Sequence, residues 1–170
     1  MEKIWLGLGS NLGDSETLIA QACRALQASV SGLRVSRLWR SRARYVENQP
    51  DFLNAVVSGH TSLEPEILLE EVHRIEAELG RDRSASVPKG ARTMDIDILL
   101  YGERIIARDD LVIPHPGIRE RKFVLLPLLE LDPGLKDPVS GKPFLEFLAG
   151  LPPQGIYPAG PPVHIQDALR

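Results

Sequence analysis

The stretch Gly90-Ala91-Arg92-Thr93-Met94-Asp95-Ile96-Asp97-Ile98-Leu99-Leu100-Tyr101-Gly102 decides how this 170-residue chain is read. Met94 to Tyr101 reads as a strand that stops at the Gly102 turn. On a strand, Asp95 and Asp97 project to one side, roughly 6–7 Å apart, while Met94, Ile96 and Ile98 face the other. Two adjacent carboxylates in an apolar strand repel each other and are costly to bury unpaired. A divalent cation removes both penalties, and Mg²⁺ typically takes one or two carboxylates together with waters and substrate phosphate oxygens. The same pair also reads as solvated acids on an edge strand, or as partners of Arg92.

Outward from this strand, the order of elements follows. Ile4, Leu6 and Leu8 alternate with Trp5 and Gly7 as a first strand ending at Gly9. Ser10 to Ser15 is turn and cap chemistry before a helix whose Leu18, Ala22, Ala25 and Leu26 share a face through about Ser29. Leu33 to Trp39 reads as a second strand and Phe52 to Val57 as a third. A second helix follows, capped by Thr61 or Ser62, with Pro65 in its first turn, Ile67 to Leu79 supplying an apolar face, and Gly80 at its end. Beyond the fourth strand, Glu103–Ile106 reads as a short partner strand. Ile118–Leu129 reads as a helix broken at Pro127, and Pro143–Leu148 as another. Strand, helix, strand, strand, helix, strand is the order of a ferredoxin-like α+β fold, a βαββαβ core with a mainly antiparallel sheet flanked by helices.

Composition narrows the function. With 43% hydrophobic residues the chain can bury one sizeable core, and no stretch approaches a membrane span. The lone Cys23, among alanines, reads as a small core residue and fits a reducing cytoplasm. A net charge of −3 makes no general case for nucleic acid, yet Arg34 to Arg44 and Arg81 to Arg92 are locally basic, which suits a small anionic ligand. Among 14 glycines and 14 prolines, five prolines crowd the last 19 residues, so residues 1–150 are expected to form one catalytic domain and 151–170 a loosely ordered, proline-rich tail.

Four further constellations bear on chemistry. Arg81, Arg83, Lys89 and Arg92 place cationic groups on the loop before the aspartates, where guanidinium can make two-pronged bonds to phosphate; a solvated loop is the plain alternative. Gly7-Leu8-Gly9-Ser10-Asn11-Leu12-Gly13 fails the dinucleotide fingerprint and reads as a tight strand-to-helix turn. Phe52 and Asn54 share a strand face and together could stack on and hydrogen-bond a flat heterocycle, or Phe52 is simply core. His115, between Pro114 and Pro116, is either a turn residue or a positioned phosphate contact.

Gly9-Ser10-Asn11-Leu12-Gly13, Gln49-Pro50-Asp51-Phe52-Leu53-Asn54-Ala55, Glu76 through Gly80-Arg81, Arg92-Thr93-Met94-Asp95-Ile96-Asp97-Ile98-Leu99, and Pro114-His115-Pro116 with Arg121-Lys122-Phe123-Val124 fall in order. Together they closely resemble the 6-hydroxymethyl-7,8-dihydropterin pyrophosphokinase family of folate biosynthesis, over residues 3 to 148. The resemblance implies transfer of diphosphate from ATP to the pterin hydroxymethyl group, with release of AMP. It implies two Mg²⁺ ions held by Asp95 and Asp97, with Arg83 and Arg92 beside them in catalysis. Glu76, Arg81, Arg83, Arg92, Ile98, His115 and Arg121 would bind ATP, and Ser41, Phe52, Asn54 and Phe123 the pterin. The chain departs from relatives at Arg42-Ala43-Arg44-Tyr45, at Lys89, in a loop one residue longer, and at Asp110 and Val112. The expectation is a stand-alone cytoplasmic monomer acting on small molecules, without nucleic acid or membrane. The other classes to separate are a non-catalytic ferredoxin-like nucleotide-binding module and a different Mg²⁺-dependent phosphate enzyme.

Overall fold

A computed structural model describes residues 1–43, 48–80 and 93–164. Its elements run β1 (Glu2–Ser10), α1 (Ser15–Leu26), β2 (Ser31–Val35), β3 (Leu38–Ser41), β4 (Phe52–Thr61), α2 (Pro65–Glu78), β5 (Asp95–Tyr101), β6 (Ile106–Ala107), β7 (Val112–Ile113), α3 (Lys122–Leu131), α4 (Phe144–Ala149) and β8 (Ile156–Gly160). The main sheet is ordered β5-β1-β4-β3-β8, with β2 also on β4, and every pairing is antiparallel. This is the ferredoxin-like arrangement, with the second core strand divided into β2 and β3.

Strand alternation separates two cores. Ile4, Leu6 and Leu8 of β1, Leu53, Ala55 and Val57 of β4, and Ile96 and Ile98 of β5 pack with Ile19, Cys23 and Leu26 of α1 and Leu68, Val72 and Ile75 of α2. On the opposite face Trp5, Val56, Leu99 and Leu100 lie with Leu125 and Leu128 of α3 and Phe144 of α4. Each of the buried valine, leucine, isoleucine and phenylalanine side chains among these contributes about 1.5–3 kcal/mol relative to exposure. The sheet is thus covered on both faces.

Several local expectations change for identifiable reasons. The single second strand breaks at Ser36, whose hydroxyl accepts from the Val56 N–H at 2.9 Å and donates to the Arg37 carbonyl, so a side chain occupies a ladder position. First-turn Pro65 follows Glu64 as the N-cap of α2, which makes no side-chain capping bond, while Thr61 instead accepts from the Leu63 N–H. Helix α1 ends at Leu26, three residues before the expected Ser29. Helix α3 begins at Lys122, not Ile118, because residues 114–121 are taken up in turns, and it runs through Pro127 to Leu131 unbroken. A mid-helix proline costs roughly 3 kcal/mol, a penalty offset by the burial of Leu125, Leu128 and Leu129 around it. The partner strand expected over Glu103–Ile106 is the short β6, paired with β7 outside the main sheet. The end of the chain differs most: within the expected loose tail, Ile156–Gly160 forms the edge strand β8 on β3.

Candidate active site

The site lies on the sheet face that carries the second core, and register assembles it. Gly7 pairs with Asp97 on one side and Val56 on the other, and Gly9 with Asp95 and Asn54. Trp39 faces Asn54 and Ser41 faces Phe52 across the next ladder. Two glycines therefore sit between the aspartates and the Phe52–Asn54 pair, where any other residue would project a side chain. A Cβ at Gly9 would stand 3.5 Å from Asn54 Oδ1 and 3.8 Å from the Phe52 ring. The expectation of a strand-to-helix turn holds for Gly13, whose φ is +78°, but Gly7 and Gly9 are strand residues that form a bare floor. The signal in the sequence was their period-two spacing on the strand face opposite Ile4, Leu6 and Leu8.

Above this floor is a cavity of about 280 Å³ bounded by Ser41, Phe52, Asn54, Asp95, Asp97, His115, Arg121 and Phe123, with Arg42, Val56 and Val124 also lining it. The buried Asn54 amide nitrogen is committed to Ser41 Oγ at 2.8 Å and to the Trp39 and Phe52 carbonyls, which leaves its oxygen to face the space above Gly9. Val56 and Val124 were not among the expected site residues; the register of β4 and the start of α3 bring them in, while Arg42 enters directly after β3.

His115 arrives from outside the main sheet through an irregularity in β5. Leu6 pairs with Ile98 and Trp5 with Leu100, so Leu99 is an extra residue, a bulge. Its carbonyl accepts the His115 N–H at 3.0 Å. The His115 ring accepts the Gly117 N–H at Nδ1 (3.0 Å), which leaves the proton of the neutral ring on Nε2, 3.6 Å from Asp97 Oδ2. Burial, with the Arg121 charge behind it, pushes the His115 pKa down to about 4, while Asp95 acts in the opposite direction. His115 is thus neutral at pH 7 in the free protein. Arg121 lies 5.7 Å from the centre of the Phe123 ring, its Nε buried without a hydrogen-bond partner among the described residues, and a Cβ at Gly117 would collide with its guanidinium.

The remaining expected residues are placed as follows. Glu76, 1% exposed, does not line the cavity; it accepts the Ile96 N–H at 3.0 Å and braces β5 between the two aspartates. The Ile98 side chain is in the first core. Arg81, Arg83, Lys89 and Arg92 lie outside the described residues, as does the segment 44–47. Among the described residues no group of three or more His, Cys, Asp and Glu side chains is arranged to hold a metal ion by itself. Asp95 and Asp97 fit Mg²⁺ as a partial ligand set: two hard carboxylates on one face beside a side-chain-free floor, with coordination positions left for phosphate oxygens and water.

A ferredoxin-like sheet with paired carboxylates, a neutral histidine and a flat, aromatic-lined slot defines an enzyme of phosphoryl-type transfer. Residues 5–133 match the family described as 7,8-dihydro-6-hydroxymethylpterin-pyrophosphokinase (HPPK). The chain is 40% identical to the 2-amino-4-hydroxy-6-hydroxymethyldihydropteridine pyrophosphokinase of Aquifex aeolicus over 147 residues, 86% of this chain and 91% of that protein. It is 42% identical to the protein of the same name from Methylorubrum extorquens, covering 92% and 98%. With the folic acid synthesis protein fol1 of Pneumocystis carinii it shares 40% identity over 94% of its own length but about a fifth (22%) of that chain. The crystal structure of wild-type Plasmodium falciparum HPPK-DHPS superposes with a TM-score of 0.68 at 14% identity, over 88% of this chain and 43% of that one, a likeness of fold. The chain belongs to the HPPK family, whose members are ATP-dependent diphosphotransferases of folate synthesis.

Proposed function

We propose that this chain transfers the terminal diphosphate of ATP to the hydroxymethyl oxygen of 6-hydroxymethyl-7,8-dihydropterin, releasing AMP. The observation that carries the reading is one cavity in which Asp95 and Asp97 share a glycine floor with Phe52, Asn54 and Phe123. The pterin ring stacks between the two phenyl groups, and the Asn54 oxygen, held by Ser41, accepts from its polar edge. The hydroxymethyl group then points along the floor toward the aspartates.

Asp95 and Asp97 would hold the Mg²⁺, two ions on this reading, which would supply charge neutralisation for the ATP phosphates. Arg121 and His115 bind phosphate on the same side, where the Arg121 Nε, which has no hydrogen-bond partner among the described residues, and the Nε2–H of neutral His115 are donors. Arg83 and Arg92 take the remaining charge, and Arg81 and Glu76 act near the nucleotide. Ile98, whose side chain is core, meets ATP through its main chain. Such a reaction depends chiefly on position and electrostatics, and no covalent nucleophile is required of the protein.

We read residues 1–150 as the catalytic unit and the enzyme as a monomer, because a single chain supplies both ends of the cavity. No helix among the described residues is long and apolar enough to cross a membrane. The buried Cys23, its thiol pushed up to about 12 by burial, is a packing residue compatible with a reducing cytoplasm. The test is AMP formation from Mg²⁺-ATP with and without the hydroxymethyl pterin. AMP should form only with the pterin; phosphate release without it would identify a phosphohydrolase, and nucleotide binding without turnover a binding module.

A further inference from the structure

The segment after α4 lies beyond residues 5–133, which match the family model, yet four successive residues of it touch residues that line the pterin end of the cavity or stand next to them. Gln154 Oε1 accepts the Lys122 N–H at 2.9 Å and Gln154 Nε2 donates to the Glu120 carbonyl at 2.9 Å. A Cβ at Gly155 would stand 3.4 Å from Arg42 Cδ, and the φ of +61° there suits glycine. Ile156 pairs with Ser41 in the β3–β8 ladder. The Tyr157 hydroxyl donates to Asp51 Oδ2 at 2.9 Å, next to Phe52. Ser41, Arg42 and Phe52 line the cavity, as do Arg121, which lies between the two peptide groups that Gln154 holds, and Phe123, which lies just beyond them.

We propose that Gln154 is a positioning residue for pterin binding, acting through Phe123. Helix α3 starts at Lys122, and its N-cap residue Arg121 makes no capping bond with its own side chain. The first N–H groups of a helix have no intrahelical acceptor, so Gln154 supplies from the segment between α4 and β8 the acceptor that the local sequence lacks. Its amide spans residues 120 and 122 with one acceptor and one donor, which fixes the backbone direction on both sides of Arg121 and sets where the Cα–Cβ bond of Phe123 points. Phe123 is only half-buried, so its ring position depends on this backbone and on Arg121 beside it. A stacking partner displaced by about 1 Å loses much of its value to catalysis.

This inference rests on the pyrophosphokinase reading, and the wild-type assay separates the two. With pterin-dependent AMP formation established for the wild type, Gln154→Ala should raise KM for the pterin about tenfold and change KM for ATP less. In a Phe123→Ala background the same substitution should add less than about twofold, because the group it positions is gone. Gln154→Glu, which keeps the acceptor for Lys122 and loses the donor to Glu120, should fall between wild type and Gln154→Ala. A wild-type pterin KM in Gln154→Ala, or an effect that persists undiminished in Phe123→Ala, would overturn the proposal. A wild type without pterin-dependent AMP would overturn the functional reading and this inference with it.

Discussion

Asp97 is the residue at which charge, position and neighbour meet. It faces Gly7 across the ladder and has the His115 imidazole 3.6 Å from its carboxylate. Asp97→Ala removes a proposed metal ligand but no core contact, so turnover should fall by about 10³-fold or more while the thermal midpoint stays within a few degrees. Steady-state AMP formation and calorimetry on one preparation would show it, and wild-type turnover would refute the metal assignment. Gly9 matters for what it lacks. Gly9→Val keeps allowed backbone geometry but fills the floor beneath Phe52 and Asn54. The expected result is a folded protein whose pterin KM rises at least about tenfold with ATP affinity little changed; equal losses for both substrates would argue against a floor at this point. The Asp-x-Asp spacing was legible because a strand puts alternate residues on one face. The glycine floor was not, because its meaning depends on which strands lie on either side.

At the scale of elements, two departures from regular strands shape the site. The Leu99 bulge in β5 frees a carbonyl for the His115 N–H, and the Ser36 break between β2 and β3 re-aims the chain toward Trp39 and Ser41. Ser36 is fully buried, and its hydroxyl is the acceptor for the Val56 N–H. Ser36→Ala leaves that donor unsatisfied and should cost about 1–3 kcal/mol, or roughly 2–9 °C in midpoint for a domain of this size. A denaturant titration returning less than about 0.5 kcal/mol would contradict it. The periodic helices α1 and α2 could be read directly, since each buries one stripe. The bulge and the break could not, because both are set by hydrogen bonds to residues distant in sequence. The same holds for α3, where Pro127 argued for a broken helix and packing prevailed.

Across the whole molecule, the loop from residue 132 to 143 anchors the segment between His115 and Arg121. Asp137, 1% exposed, receives two bonds from the Arg119 guanidinium at 2.9 Å, with Ser140 Oγ and the Val139 N–H adding to it. Burial alone would raise this carboxyl, but the bonds from Arg119, Ser140 and Val139 outweigh it and hold the pKa at about 2. Because the folded value lies below the ordinary 3.8, the group stabilises the fold above that pH and the contribution is lost as pH falls through about 2. The gap corresponds to about 2 kcal/mol. Asp137→Asn should therefore be destabilised by about 2 kcal/mol or more at pH 7, with the deficit narrowing as pH drops from about 4 toward 2. Urea titrations at pH 7 and pH 3 check the sign, and a deficit independent of pH would exclude the ion pair as its cause.

The sequence by itself determined the order of the core elements, the shared face of Asp95 and Asp97, and the pairing of Phe52 with Asn54. All of these follow from periodicities within one strand or helix. The tertiary structure decided what lies opposite each of them: glycines between carboxylates and aromatics, a histidine brought in by a bulge, a buried aspartate paired with an arginine. It also turned an expected loose tail into a sheet strand, β8, whose flanking Gln154 caps a distant helix. Such features arise from hydrogen bonds and packing between residues sixteen or more positions apart, and composition or spacing along the chain carries no record of them.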